Sequence, residues 1–248
     1  MTERLAMPAL PRAILFDMDD TILSAYGRPF EVWEQAAEPY TADLAPLTPA
    51  QFAVAVEKRS QTFWNDQDWN RIWRVRLIEG RRQIVAHALA DLAASGHNVL
   101  PAVLGDAIAD HFAELREAAY RVFPGAHETL DRLKELGVQL ALITNGAAEP
   151  QRAKVVRFAL EHRFDHIQIE GEHGFGKPEE RAYTHAMAVL GVGPHETWMV
   201  GDNLEWEVAA PQRLGIHAIW CDSYAAGLPP DSPIRPDRII RSLSELLG

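Results

Sequence analysis

The sequence predicts an α/β fold, a parallel sheet flanked by helices, interrupted by a separate all-helical insertion. Two patterns predict it. Short continuous apolar runs alternate with helical patterns in residues 1–23 and again in residues 123–248. Between them, residues 24–122 change texture to helical segments rich in Ala, Leu, Trp and Arg, with no convincing buried strand. Alternating strands and helices imply right-handed βαβ units, whose loops at the carboxyl ends of the strands line one crevice.

The first element, Ala13-Ile14-Leu15-Phe16, is uniformly apolar and runs straight into acidic residues, as expected of a strand buried on both faces. The run Gln139–Ile143 leads into Thr144-Asn145-Gly146, and Thr197–Val200 leads into Gly201-Asp202-Asn203. Each strand thus ends in a polar loop. Helical patterns cover Gly125–Leu136, Glu149–Leu160 and Glu179–Leu190, and Gly137 and Gly191 stand where helix C-caps are expected. Pro124-Gly125 marks the return from the insertion to the alternating region.

Bulk properties narrow the function. A formal net charge of −11 argues against an extended nucleic-acid surface, and an anionic substrate would need a bound cation and placed basic groups to offset that field. No apolar run approaches the ~20 residues that span a bilayer, and the start of the chain lacks the charged-then-apolar order of a signal peptide, so a cytoplasmic protein without membrane partners is expected. Cys221 is the sole cysteine, which excludes an internal disulfide and fits a reducing compartment.

The chemistry is concentrated in Asp17-Met18-Asp19-Asp20-Thr21, with three carboxylates directly beyond a buried strand. In an extended continuation Asp17 and Asp19 share a side, so one can attack phosphorus while the other handles the leaving group's proton. Such crowding calls for a hard divalent ion with oxygen ligands, most naturally Mg²⁺. Asp202, at the end of an apolar strand, suits a second ligand opposite Asp17. Lys177, in Gly171–Pro178 just before a helix, can neutralise both a nucleophile and phosphoryl oxygens.

Taken in order, Asp17–Thr21, Thr144-Asn145, Lys177-Pro178 and Gly201-Asp202 resemble the four motifs of the haloacid dehalogenase (HAD) superfamily. The resemblance covers residues 11–222, including Phe123–Leu130. It implies a Rossmann-like catalytic core (1–23 and 123–248) and a helical C1-type cap (24–122). It further implies an Mg²⁺-dependent phosphatase that hydrolyses a small phosphorylated metabolite through an aspartyl-phosphate, as a monomer or homodimer. Asp17 is then the nucleophile and Asp19 the general acid and base. Thr144, Asn145 and Lys177 hold the phosphoryl group, and Asp17, Asp202 and the Asp19 carbonyl bind the metal. The second acid of the last motif is normally aspartate; Glu207 occupies that position, either as an outer support of the metal or as a plain helix-surface residue.

Rival readings compete with this one. Gly171-x₄-Gly176-Lys177 imitates a P-loop, but Pro178 stands where that loop needs a hydroxyl on Mg²⁺. A 2-haloacid dehalogenase needs no proton donor two residues after its nucleophile, and this chain has Asp19. A phosphomutase would pass the same phosphoryl group to a second hydroxyl, and a non-catalytic binding module would use the fold without turnover. In the insertion, Phe63-Trp64 and Trp69–Arg82 gather three tryptophans and five arginines that could hold an anion or an aromatic ring, although the helical spacing of Trp69, Ile72, Trp73 and Leu77 favours core packing. Tyr26–Phe30, with Gly27 and Pro29, is a candidate gating flap. The ten histidines show no HxH or HExxH spacing, which argues against zinc.

Overall fold

The computed structural model describes residues 10–24, 27, 29–97 and 100–248. The start of the chain and Tyr26, the first residue of the expected flap, lie outside the described residues. The chain divides into two compact units, Met1–Ser24 with Arg121–Gly248, and Ala25–Tyr120.

The first unit is built on a six-stranded parallel sheet. Its strands are β1 (Ala13–Phe16), β4 (Gln139–Thr144), β5 (His166–Ile169), β6 (Thr197–Gly201), β7 (His217–Cys221) and β8 (Arg238–Ile240), in the order β5-β4-β1-β6-β7-β8. A two-residue strand β2 (Leu23–Ser24) pairs antiparallel with β3 (Arg121–Val122) at the two ends of the insertion. Every residue of β1 is fully buried, and its side chains alternate between two layers. Ile14 and Phe16 join a cluster with Leu130, Leu133 and Val155, from helices Ala126–Glu135 and Ala148–Arg157. Ala13 and Leu15 join another with Ala182, Tyr183 and Ala186 of helix Glu180–Leu190. An unbroken apolar run is therefore what a strand covered on both faces requires, and each such Leu or Ile contributes about 1.5–3 kcal/mol by leaving water.

Two of the expected helices end at the predicted glycines. Gly137 and Gly191 take φ of +83° and +67°, and each helix closes with the paired backbone bonds of a Schellman turn, Val138 N–H to the Leu133 carbonyl (3.0 Å) and Val192 N–H to the Met187 carbonyl (3.1 Å). The third helix stops at Arg157 instead of running to Leu160. It closes in the same way, Leu160 N–H bonding the Val155 carbonyl at 2.9 Å, but with Ala159 at φ +52° in the glycine position. No glycine marks that stop.

The second unit is helical throughout its described residues, with helices Pro29–Ala37, Pro49–Asn65, Gln67–Trp73, Leu77–Ala94 and Ala102–Ala119. Its core centres on Trp33 stacked on Phe112, ring centroids 3.6 Å apart, with Phe52, Val56, Ile84 and Ile108 around them. Helix Pro49–Asn65 starts at a Thr48–Gln51 capping box with proline in its first turn, a sequence-encoded start. The expected core packing of Trp69, Ile72, Trp73 and Leu77 is corrected in part: Trp73 packs against the core of this unit, but the four do not do so together. A break between Trp73 and Leu77 puts Leu77 on a new helix, so the four residues do not share one stripe. Ile72 is left 54% exposed, and Trp69 lies against the Phe63 edge at 4.9 Å. Two of the five arginines serve the unit itself: Arg81 lies over the Phe112 ring, and Arg82 forms a double hydrogen bond to Asp110. Among the described residues no helix is long and apolar enough to cross a membrane.

Candidate active site

The site collects at the carboxyl ends of three adjacent strands. β1 lies between β4 and β6, with Phe16 opposite both Leu142 and Val200, so Asp17, Thr144 and Asp202 emerge at one edge of the sheet. The Asp17 amide still bonds the Val200 carbonyl at 2.9 Å, which fixes the first residue beyond the strand. Met18 turns into the core, leaving Asp17 and Asp19 on the other side, and the chain folds back through Asp20, at φ +61°, to bring Leu23 against Asp19. The Tyr224 hydroxyl donates to Asp20 Oδ1 at 2.8 Å and secures that turn.

Lys177 is completely buried, and its Nζ lies 2.5 Å from Asp17 Oδ1 and 2.7 Å from Glu207 Oε1. Burial alone would depress its pKa, but the Asp17 and Glu207 carboxylates outweigh burial and raise it, so the side chain is an ammonium. The lysine is held by its backbone. Asn145 Oδ1 accepts from the Lys177 amide at 2.8 Å, and Asn145 Nδ2 donates to the Lys177 carbonyl at 2.7 Å. Both ends of the Asn145 amide thus face Lys177, although the sequence motif points them at a phosphoryl group. The glycines of the P-loop-like segment serve close packing. A Cβ on Gly176 would stand 2.6 Å from Asn145 Oδ1, and one on Gly171 would stand 2.3 Å from the Ala148 backbone nitrogen. With its ammonium on two carboxylates and Pro178 after it, Lys177 lacks the surroundings of a P-loop lysine.

Helix Ala148–Arg157 brings in two residues that sequence motifs do not single out. Lys154 Nζ reaches both carboxylate oxygens of Asp19, and Gln151 Nε2 lies 3.0 Å from Asp19 Oδ2, 2.7 Å from Thr144 Oγ1 and 2.8 Å from the Asn145 carbonyl. Gln151, Lys154 and Val155 form the buried face of this helix. Their i, i+3, i+4 spacing, immediately after a strand that ends in the site, is the available signal. The Thr144 hydroxyl accepts from Gln151 at 2.7 Å and donates to the Asn145 carbonyl over a long 3.5 Å contact, a weak bond that a better acceptor can displace.

The sequence profile of haloacid dehalogenase-like hydrolases matches residues 11–215. The chain belongs to that family. It is 38% identical over 140 residues to the phosphoserine phosphatase of Thermus thermophilus, across 54% of this chain and 55% of the relative, so it spans about half that protein's length. It is 27% identical over 215 residues, 86% of each chain, to the glyceraldehyde 3-phosphate phosphatase of Methanothermobacter thermautotrophicus. The magnesium-bound crystal structure of Bacillus subtilis YfnB shares the fold, with a TM-score of 0.68 at 22% identity over 96% of this chain and 97% of that one.

In this haloacid dehalogenase-like hydrolase, the acids around Asp202 fit a hard divalent ion. Burial, then Glu207, Asp17 and Asp20, push the Asp202 carboxyl well above its usual range. Burial likewise raises Asp17, and raises Glu207 to about 7, against the pull of Lys177. This is a surplus of crowded oxygen donors, the environment that Mg²⁺ relieves. Glu207 is not a helix-surface residue. It is 1% exposed, and besides Lys177 its Oε2 accepts from the Asn203 amide at 2.7 Å. A wide π-type turn over Leu204–Ala209 carries it inward, and its side chain covers Gly201 so closely that a Cβ there would stand 2.0 Å from Glu207 Cγ.

Proposed function

We propose that the protein is a magnesium-dependent phosphatase that hydrolyses a small phosphomonoester through an aspartyl-phosphate at Asp17, with the chemistry carried by the unit Met1–Ser24 plus Arg121–Gly248. The observation that carries this reading is the division of cations between the two acids: Lys177 on Asp17 and Lys154 on Asp19. An Asp17 carboxylate kept beside an ammonium can attack phosphorus without facing an unscreened anion. As the Asp17–phosphorus bond forms and the ester bond breaks, Asp19 in its acid form gives its proton to the departing alkoxide. Its carboxylate, the form that Lys154 and Gln151 favour, then takes a proton from the water that attacks the phosphoryl group, releasing inorganic phosphate and restoring Asp17.

Thr144 donates its hydroxyl proton to a phosphoryl oxygen, and Asn145 acts by holding Lys177. The carboxylates of Asp17 and Asp202, with the Asp19 carbonyl, are the ligands for Mg²⁺, and Glu207 supports them from beneath through Lys177 and Asn203. Bound there, the ion supplies charge to offset these acids and the phosphoryl oxygens. The names of the Thermus and Methanothermobacter relatives support phosphoester hydrolysis, and Asp19, a second carboxyl group two residues beyond Asp17, favours a reaction whose leaving group needs a proton over dehalogenation.

The test is phosphate release from a broad panel of phosphomonoesters, with and without Mg²⁺, for wild type and Asp17→Asn. Release that requires both the ion and Asp17 is expected. Turnover that survives Asp17→Asn overturns the mechanism. No release from any ester shifts the reading to transfer onto a second hydroxyl or to halide displacement.

A further inference from the structure

Apart from this acidic site, three histidines from separate elements converge: His166 opens β5, His173 ends the short helix Glu170–His173, and His185 lies on helix Glu180–Leu190. We propose that His166, His173 and His185 form a binding site for a divalent transition-metal ion, with zinc as the reference ion and water completing the coordination. Their candidate ligand nitrogens all lie within 4.8 Å of one another, and the rings meet at centroid distances of 6.0, 5.5 and 5.4 Å. In a tetrahedral site with bonds of about 2.0–2.1 Å, donor nitrogens stand about 3.4 Å apart, so closing on an ion needs an inward shift of about 1 Å at half-buried rings.

The hydrogen bonds around the cluster are those that prepare imidazoles to ligate. His173 Nδ1 lies 3.1 Å from the Ile169 carbonyl, which can only accept, so the proton sits on Nδ1 and Nε2 keeps its lone pair. His185 Nδ1 lies 2.9 Å from Gln168 Oε1, and the orientation of that amide is set by its own Nε2, which donates to the Ala182 carbonyl at 2.8 Å. Carbonyl oxygens behind the distal ring nitrogen are the supporting groups typical of metal-bound histidine. His166 supplies an independent sign: its Nε2 is buried and has no hydrogen-bond partner.

A purely aromatic cluster is the competing account, since Phe175 packs edge-on to both His173 and His185. Ring packing leaves the His166 nitrogen unsatisfied, whereas an ion satisfies it. Burial, and then the neighbouring His185 and His173, lower the His166 pKa, which keeps the ring in the neutral form that metals bind. Imidazole donors select ions such as Zn²⁺, Ni²⁺, Cu²⁺ or Co²⁺ over Mg²⁺, so Mg²⁺ would not compete for this site. His173 lies four residues before Lys177, and an ion here would brace the segment that delivers that lysine.

Chelator-treated protein titrated with Co²⁺ in excess Mg²⁺ tests the site. Wild type should take up one Co²⁺ per chain with the visible absorption of a four-coordinate ion, and Zn²⁺ should displace it. His173→Ala and His185→Ala should each weaken binding by at least about 100-fold, more than the loss of an outer-shell partner causes, while Asp202→Asn leaves it unchanged. Zn²⁺ should also raise Tm in wild type and not in His173→Ala. If His185→Ala does not fold, His173→Ala alone decides. Absence of the Co²⁺ band in wild type, or its persistence at full strength in the histidine variants, overturns the proposal.

Discussion

Lys154 Nζ lies 2.8 Å from Oδ1 and 2.9 Å from Oδ2 of Asp19, so one buried ammonium spans both oxygens of that carboxylate. Replacing it with an uncharged side chain of similar length frees Asp19 to rotate. Lys154→Met should lower kcat on alkyl phosphates by about 10²-fold, the scale of a 1 Å misplacement of a reacting group. The loss should be smaller on nitrophenyl phosphate, whose leaving group needs little protonation. Steady-state kinetics on the two ester types checks this, and equal losses on both would remove Lys154 from any role through Asp19.

Asn145→Ala removes both side-chain bonds to the Lys177 backbone and leaves a buried N–H without its acceptor. Stability should fall by about 1–3 kcal/mol in urea unfolding. Turnover should fall further than that loss explains, because the ammonium is no longer aimed at Asp17. A variant that unfolds earlier yet turns over normally would show that Lys177 is held well enough without Asn145.

Ala159→Gly should stabilise the protein by about 0.5–1 kcal/mol, since a left-handed conformation strains alanine and suits glycine. The position tests whether the early stop of helix Ala148–Arg157 is a strained one. Chemical denaturation measures it, and a loss of stability would mean that the turn is fixed by something other than its backbone angle.

The buried thiol of Cys221 gives a pH dependence with a definite sign. Burial pushes it up to about 11 from an ordinary 9.0. The folded state therefore keeps a proton that the unfolded chain releases, so this contribution is complete below pH 9 and is lost as pH climbs from about 9 toward 11. Over that window wild type should lose up to about 3 kcal/mol more than Cys221→Ala. Urea titrations of both proteins across the window read the difference, and parallel curves would mean that the thiol is no better buried than in the unfolded chain.

The parts of the fold that are legible in the sequence are those where one physical demand acts alone. β1, β4 and β6 are covered on both faces, and their apolar runs give them away. β5, an edge strand reading His166-Ile167-Gln168-Ile169, and the three-residue β8 carry no such run, and neither is expected from the sequence; β7 has a buried apolar run, Ala218–Cys221, and is not expected either. The order of motifs puts Asp17, Thr144 and Asp202 at neighbouring strand ends, where the sheet register brings them together. Gln151 and Lys154 are illegible as site residues because polar side chains on a helix are ordinarily solvated, and only their sharing a face with Val155 distinguishes them. Glu207 reads equally well as a surface residue as long as the turn that carries it is an ordinary helical one, whereas the wider turn found here points it inward. The histidine trio depends on three elements meeting in space, which no local spacing encodes.

The two-residue ribbon formed by Leu23–Ser24 and Arg121–Val122 turns the whole of Ala25–Tyr120 into the loop of a hairpin. The sheet-bearing unit brings the two ends of that loop together whatever lies between them, and the entropy of closing a flexible loop rises by only about 0.6 kcal/mol for each doubling of its length. An insertion with its own core, like this one built on Trp33 and Phe112, closes its own ends and adds less still. The catalytic architecture is therefore nearly indifferent to the size and make-up of what is spliced in at this seam, so the insertion can be lengthened, shortened or exchanged in evolution while the strand ends that carry Asp17, Thr144 and Asp202 stay where they are.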